Sequence, residues 1–70
     1  MSDQPVRTGR VDAFDEQHGT GVVVAESGER FPFHSTAIAD GTRVIAVGTD
    51  VCFEVRPGLG RWEAGAVRPV

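Results

Sequence analysis

Residues 20–35, TGVVVA-ESGE-RFPFHS, decide the fold of this chain. The three valines of Thr20–Ala25 favour a strand, because β-branched side chains fit the pleated surface of a sheet. The turn Glu26–Glu29 has an ordinary length for a hairpin, and Arg30–Ser35 supplies the second strand. Pro32 has no N–H to donate, so this second strand is predicted to lie at a sheet edge or to carry a bulge.

Two more strands are predicted on either side of this hairpin. Gly9–Phe14 precedes it and ends at the acidic turn Asp15–Gly19. Val51–Arg56 follows it and alternates, with its valines and Phe53 on one face and its polar residues on the other. This alternation is typical of a strand with one buried side.

Trp62–Arg68 is the last predicted strand, and the turn Pro57–Gly60 precedes it. The connection Thr36–Asp50 contains too many glycine and aspartate breaks for a long helix, and Ser35–Ala39 is predicted to form one helical turn at most. Five short strands with one long connection indicate a small all-β barrel. Closing the sheet would also remove edges that so small a domain cannot otherwise cover.

Length and composition fit a single small domain. The chain has 70 residues, 40% of them apolar, with nine glycines and four prolines. A chain of this size buries only about 60% of the surface that its unfolded form exposes, so its core must be compact. Residues 1–8 are polar and are predicted to be a flexible lead-in, and residues 9–70 are predicted to form the barrel domain.

The charges exclude a general attraction to nucleic acid or to an anionic membrane. Seven arginines face ten acidic residues, which gives a net charge of −3, and the chain has no lysine. Binding to either partner would therefore need a local patch. The longest apolar run, Val22–Ala25, is far too short for a membrane span, and one cysteine excludes an internal disulfide framework. The cytoplasm is the predicted compartment.

Catalytic and metal chemistry have no sequence signal. His18, His34 and Cys52 are widely spaced, unlike the close ligand pairs of zinc sites. No serine lies in a nucleophile elbow, and the glycines around Thr20 lack the helix that a dinucleotide fingerprint needs. The sequence predicts neither an enzyme nor a bound metal or cofactor.

Four segments, spread from Gly9 to Pro69 over nearly the whole chain, resemble the bacterial cold-shock domain. Gly9–Asp15 (GRVDAFD) is similar to the family's opening GxVKWFN, and His18–Val23 (HGTGVV) is similar to KGFGFI, its first ribonucleoprotein motif. Phe31–Ile38 (FPFHSTAI) is similar to the second motif, VFVHFSAI. Val47–Val55 and Ala64–Pro69 resemble the closing strands. The resemblance implies a five-stranded antiparallel Greek-key barrel of the oligonucleotide-binding (OB) type.

The resemblance also implies which side of the sheet binds a ligand. In the family, aromatic side chains on the first three strands stack on unpaired bases, and lysines guide the backbone. The matching aromatic positions here are occupied by Ala13, Thr20, Val22, Pro32 and Ser35. Two matching lysine positions are Asp12 and His18. The core positions remain suitable for burial: Val11, Gly21, Val23, Phe31, Phe33, Ile38, Val51, Phe53 and Val55.

Two functions follow from this comparison. The first is a nucleic-acid-binding module of cold-shock type that binds single-stranded RNA or DNA. Stacking contributes about 1–3 kcal/mol per base, so the loss of five aromatics predicts weak binding. The alternative is a barrel that has lost nucleic-acid binding and engages a protein partner through the smoothed face of Ala13, Thr20, Val22 and Pro32.

The candidate nucleic-acid contacts are His34, Trp62, Phe14, Arg61 and Arg10. They are predicted to form one site where Trp62 and Arg61 meet His34, with the arginines donating to phosphates. Each has an alternative interpretation. In these alternatives, Trp62 covers the core at the end of the barrel, and Phe14 is partly buried by packing. His34 is then a half-exposed strand residue with no function, and the arginines pair with carboxylates.

Overall fold

The computed structural model describes residues 6–58 and 60–70, and it contains one antiparallel sheet of five strands. The predicted all-β class is confirmed. The strands are β1 (Val6–Asp15), β2 (Thr20–Ala25), β3 (Arg30–His34), β4 (Asp50–Pro57) and β5 (Trp62–Pro69). Their order in the sheet is β3-β2-β1-β4-β5, and one 3₁₀ turn, Ser35–Ala37, follows β3.

The strand boundaries differ from the prediction by a few residues. β1 begins at Val6 rather than Gly9, because residues 6–8 pair with β4 opposite Glu54, Phe53 and Cys52. This part of the predicted lead-in is therefore strand, and residues 1–5 of it lie outside the described residues. β3 ends at His34, since Ser35 begins the 3₁₀ turn.

β1 is the central strand, and a bulge divides it. It pairs with β2 on one side and β4 on the other, and its register with β2 shifts between Val11 and Ala13. A bulge lets two consecutive residues share one side of the sheet. Asp12 and Ala13 are accordingly both exposed, whereas Val11 before them is buried and Phe14 after them is half-buried.

The core lies between the inward sides of all five strands. Every predicted core residue is buried except Val55, which is half-buried against the core. Five further described residues are buried that were not predicted: Ala25, Ile45, Ala64, Gly65 and Val67. Ile45 lies in the long connection, where no strand periodicity marks it, and Val67 follows a second bulge in β5.

That second bulge helps the two ends of the sheet approach each other. Ala66 has a φ of 50°, and the β4–β5 register shifts at this point. Bulges bend a strand and increase its twist. β3 and β5 lie against each other, Ile38 forms a parallel bridge with Val67, and the Ala39 N–H donates to the Val67 carbonyl at 2.7 Å. Because β3 is an outer strand of the sheet, the edge position predicted for Pro32 is confirmed.

Phe33 is packed by residues from two neighbouring strands. Its ring stacks on Phe14 with a centroid distance of 6.1 Å and an interplanar angle of 19°. Gly21 lies directly opposite, and a Cβ there would come within 2.6 Å of the Phe33 ring. The absence of a side chain at Gly21 therefore makes room for the ring.

We expect Phe33→Ala to lower the free energy of unfolding by about 3–5 kcal/mol, since it removes a buried ring and leaves a cavity. That loss is a large part of the total stability of so small a domain. His34→Ala, the exposed neighbour, is the control and should change stability by less than about 0.5 kcal/mol. Thermal and urea unfolding of both variants measure this. Equal stability of the two would contradict the observed register of β3.

Candidate functional site

The side of β1–β3 that faces away from the core, called here the outer face, consists of three cross-strand rows. Residues paired across an antiparallel sheet project to the same side. The rows follow directly from the register: Arg10–Val24–Arg30, Ala13–Val22–Pro32 and Asp15–Thr20–His34. This is the side on which the cold-shock resemblance predicts ligand binding. It carries one imidazole, two guanidinium groups, the carboxylates of Asp12 and Asp15, and a middle row that is entirely apolar.

His34 lies at the last position of β3, on the outer face. It is exposed and pairs with Thr20 of β2. The next residue is also fixed, because the Ser35 N–H donates to the Gly19 carbonyl at 2.8 Å. The backbone around His34 is therefore held on both sides, while the imidazole itself is open to solvent.

Trp62 lies at the start of β5, opposite Pro57 of β4, and is 60% exposed. The turn before it is closed by a hydrogen bond from the Gly58 N–H to the Arg61 carbonyl at 2.7 Å. So large an exposed fraction is inconsistent with a plug that covers the core. Trp62 instead presents an open indole surface next to the exposed Arg61.

His34 and Trp62 lie on the two outer strands of the sheet, which contact each other. The bridge between Ile38 and Val67 is parallel. Among the described residues, however, no hydrogen bond or ring contact joins the side chains of His34 and Trp62 directly.

Phe14 lies on the core side of β1, away from His34. The bulge at Asp12 turns its side chain inward, where it is half-buried and stacked on Phe33. This agrees with the packing interpretation of Phe14. Only the rim of its ring, at the end of the sheet, remains available for contact with a ligand.

Both arginines of the outer face are held by aspartates. The Arg10 Nε lies 3.1 Å from Asp50 Oδ1, and the Arg30 Nη2 lies 2.9 Å from Asp12 Oδ2. All four side chains are largely exposed, and exposed ion pairs are worth only about 0.2–1 kcal/mol. Arg30 was not predicted from the sequence, although it lies on the same side of β3 as Pro32 and His34. The partner of Arg10 was not predictable either, because it depends on the β1–β4 register.

An open depression of about 610 Å³ surrounds the first of these pairs. Its walls come from β1, β2 and the start of β4, and include Val24 and the backbone of Gly9. Its charged side chains are Arg10 and three carboxylates, those of Asp12, Glu26 and Asp50. The depression is therefore predominantly negative, which is unfavourable for a phosphate.

Four other arginines differ in what their side chains contact. Arg56 donates to Glu54 through Nε and Nη2, and Arg68 donates to the Ala66 carbonyl. Arg43 and Arg61 are exposed, and in residues 6–58 and 60–70 neither forms an ion pair. Arg61 is thus the predicted contact whose guanidinium is not already engaged by a carboxylate.

The β1–β2 turn next to His34 is organised by one carboxylate. Asp15 Oδ1 accepts the N–H groups of Gln17 and His18, and Oδ2 lies 2.6 Å from the His18 Nδ1. The hydrogen bond from the His18 ring, followed by that from the His18 N–H, lowers the pKa of Asp15 below its ordinary value. Gly19 closes the turn with a φ of 67°.

The described residues contain neither a cluster of metal ligands nor a membrane-spanning helix. Within them, no three histidine, cysteine, aspartate or glutamate side chains come together as a metal site. No helix in this part of the chain is long and apolar enough to cross a bilayer.

No protein-family model matches the chain, and a search of curated proteins finds no match either. The resemblance to the cold-shock domain therefore depends on the four sequence segments alone. It is a hypothesis about this chain that the strand order and the outer face help to assess.

The low pKa of Asp15 makes stability depend on pH. Because the folded state favours the ionised carboxylate, Asp15 stabilises the fold above its ordinary pKa of 3.8, and this contribution is lost as the pH falls through the lower folded value. We expect the difference in unfolding free energy between the wild type and Asp15→Asn to shrink over that range. Denaturant unfolding across the acidic range measures it.

The carboxyl ¹³C shift of Asp15 gives an independent measurement. His18→Ala removes the main hydrogen bond and should raise the pKa of Asp15 towards its ordinary value. Asp40, whose pKa is lowered by the Thr42 hydroxyl and N–H, is an internal reference that His18→Ala should leave unchanged. An Asp15 titration unaffected by the variant would contradict the proposed cause.

Proposed function

We propose that this protein is a cold-shock-like module of the OB type that binds single-stranded RNA or DNA weakly. The observation that carries the proposal is the exposed Trp62, which lies beside Arg61 at the start of β5, on the strand that contacts the strand of His34. An indole offers a flat stacking surface for a base, and a guanidinium is a strong donor to phosphate.

The sheet topology supports the OB type. OB folds are five-stranded, partly open Greek-key barrels whose second and third strands, together with neighbouring loops, bind oligonucleotides. The order β3-β2-β1-β4-β5, with β3 against β5, fits such a barrel. A parallel bridge also joins Ile38, which follows β3 and the 3₁₀ turn, to Val67 of β5 at the other edge of the sheet.

The binding mode differs from the family's. The row Ala13–Val22–Pro32 has no ring on which a base can stack. Stacking is left to His34 and Trp62, and phosphate contacts are left to arginines. Two stacking side chains and a few phosphate contacts are enough for binding, but only for weak binding by a protein of net charge −3.

We expect the affinity for a single strand of about eight nucleotides, within the site size of one OB barrel, to fall strongly as salt increases. Each arginine–phosphate contact releases counterions, and the slope of log K against log salt is about −0.7 per contact on single strands. Trp62 fluorescence titrations at low and at physiological salt measure both quantities. A tight complex that is insensitive to salt would contradict this binding mode.

Trp62→Ala and His34→Ala should each weaken binding by about 1–3 kcal/mol, the usual contribution of one stacked base. Trp62→Phe retains a stacking ring and is the matched control, which should lose less. Binding of the variants is measured by anisotropy of a labelled oligonucleotide, and the site by amide shift mapping. Shifts that avoid both β3 and the start of β5 at millimolar ligand would refute the site.

A second candidate function is binding of a protein partner through the outer face. It is favoured by the apolar row Ala13–Val22–Pro32, which crosses three strands without a charge. The same shift mapping separates the two functions. If oligonucleotides cause no shifts at low salt, the nucleic-acid proposal is rejected and this apolar row becomes the stronger candidate.

A further inference from the structure

The two guanidinium groups of the outer face belong to one row, with Val24 between them. Strands lie about 4.8 Å apart, so the Cα atoms of Arg10 and Arg30 are separated by roughly 10 Å across β2. Both side chains project to the side on which the proposed ligand would lie. Their position suits two phosphates of one strand, but each already has a carboxylate partner.

These carboxylates occupy the positions that phosphates would take. Asp50 accepts from the Nε of Arg10, and Asp12 accepts from the Nη2 of Arg30. Asp50, Asp12 and Arg10 also line the same negative depression. A phosphate approaching either arginine must displace a carboxylate and is repelled by its charge.

We propose that Asp12 and Asp50 compete with phosphate for Arg30 and Arg10, and so limit the affinity of the outer face for single-stranded nucleic acid. This inference rests on the proposed function and adds a regulatory feature to the same site. Asp12 is the unpaired residue of the β1 bulge, and it lies exposed on the outer face, where its carboxylate reaches Arg30. Any condition that neutralises these carboxylates would strengthen binding.

The test uses Asp12→Asn, Asp50→Asn and the double variant. Asparagine keeps the shape of the side chain, removes the charge and releases the arginine. We expect each single variant to bind an oligonucleotide of about eight deoxythymidines about threefold to tenfold more tightly at low salt. The slope of log K against log salt should become steeper by about 0.7 for each arginine that gains a phosphate.

Glu29→Gln is the matched control. Glu29 pairs with Arg7 at 3.1 Å in a similarly exposed ion pair, but Arg7 projects over the Phe31 ring on the core side. The control changes the net charge by the same amount and should leave affinity nearly unchanged. An equal gain in Glu29→Gln would overturn the inference, since net charge alone would then explain the effect.

A second control tests whether the gain in affinity depends on Arg10. In an Arg10→Gln background, Asp50→Asn should give little more than the Glu29→Gln effect, because no guanidinium is left to release. A full gain in that background would overturn the pairing with Arg10. Thermal unfolding of every variant confirms the fold, and substitutions at these exposed positions should change stability little.

Failure of the inference and failure of the proposed function give different results. Binding by the wild type without improvement in the asparagine variants overturns the inference and leaves the function intact. Binding by the double variant alone supports the inference and shows that the aspartates block the wild-type face. No binding by any variant at low salt rejects the proposed function, and the inference with it.

Discussion

The bulge at Asp12 in the central strand determines what each side of the sheet presents. β1 pairs with both β2 and β4, so its alternation sets the faces of three strands. Without the bulge, an unbroken alternation from Val11 would direct Phe14 outwards. With it, Phe14 turns inwards onto Phe33, and Asp12 and Ala13 both remain outside. The bulge thus keeps the Phe14 ring off the outer face and leaves two consecutive residues, Asp12 and Ala13, on it.

Closing the core depends on similar local adjustments at the other end of the sheet. The bulge at Ala66 allows both Ala64 and Val67 to be buried, and Val67 then bridges to Ile38. Ile45 adds a buried side chain from a connection without regular structure. A chain of 70 residues has few apolar side chains to bury, so contributions from a loop and a bulged strand matter for its stability.

Much of the fold was predictable from the sequence, because most of the strands alternate and turn residues mark their ends. The core side of β2, β3 and β4 follows from period two alone, as the burial of Val23, Phe31 and Phe53 shows. The bulges were not predictable, since nothing in the residues around Asp12 or Ala66 specifies them. The candidate site was predictable only in part. Alternation places His34 outside, but the Arg10–Asp50 pair depends on a register between residues far apart in sequence.

The outer face and the core differ in how strongly their residues affect the stability of the fold. Replacing a buried ring costs several kcal/mol, whereas an exposed ion pair such as Arg30–Asp12 is worth about 1 kcal/mol or less. The core therefore constrains which residues are compatible with the fold, while the outer face can change its charge or its aromatic content with little effect on stability. A nearby phosphate is much more sensitive to these changes than the fold is, because each one alters the local charge or removes a stacking surface. The core pattern of this sheet and the affinity of its outer face for a ligand can thus be set independently, because the side chains of the outer face contribute little to the stability of the fold.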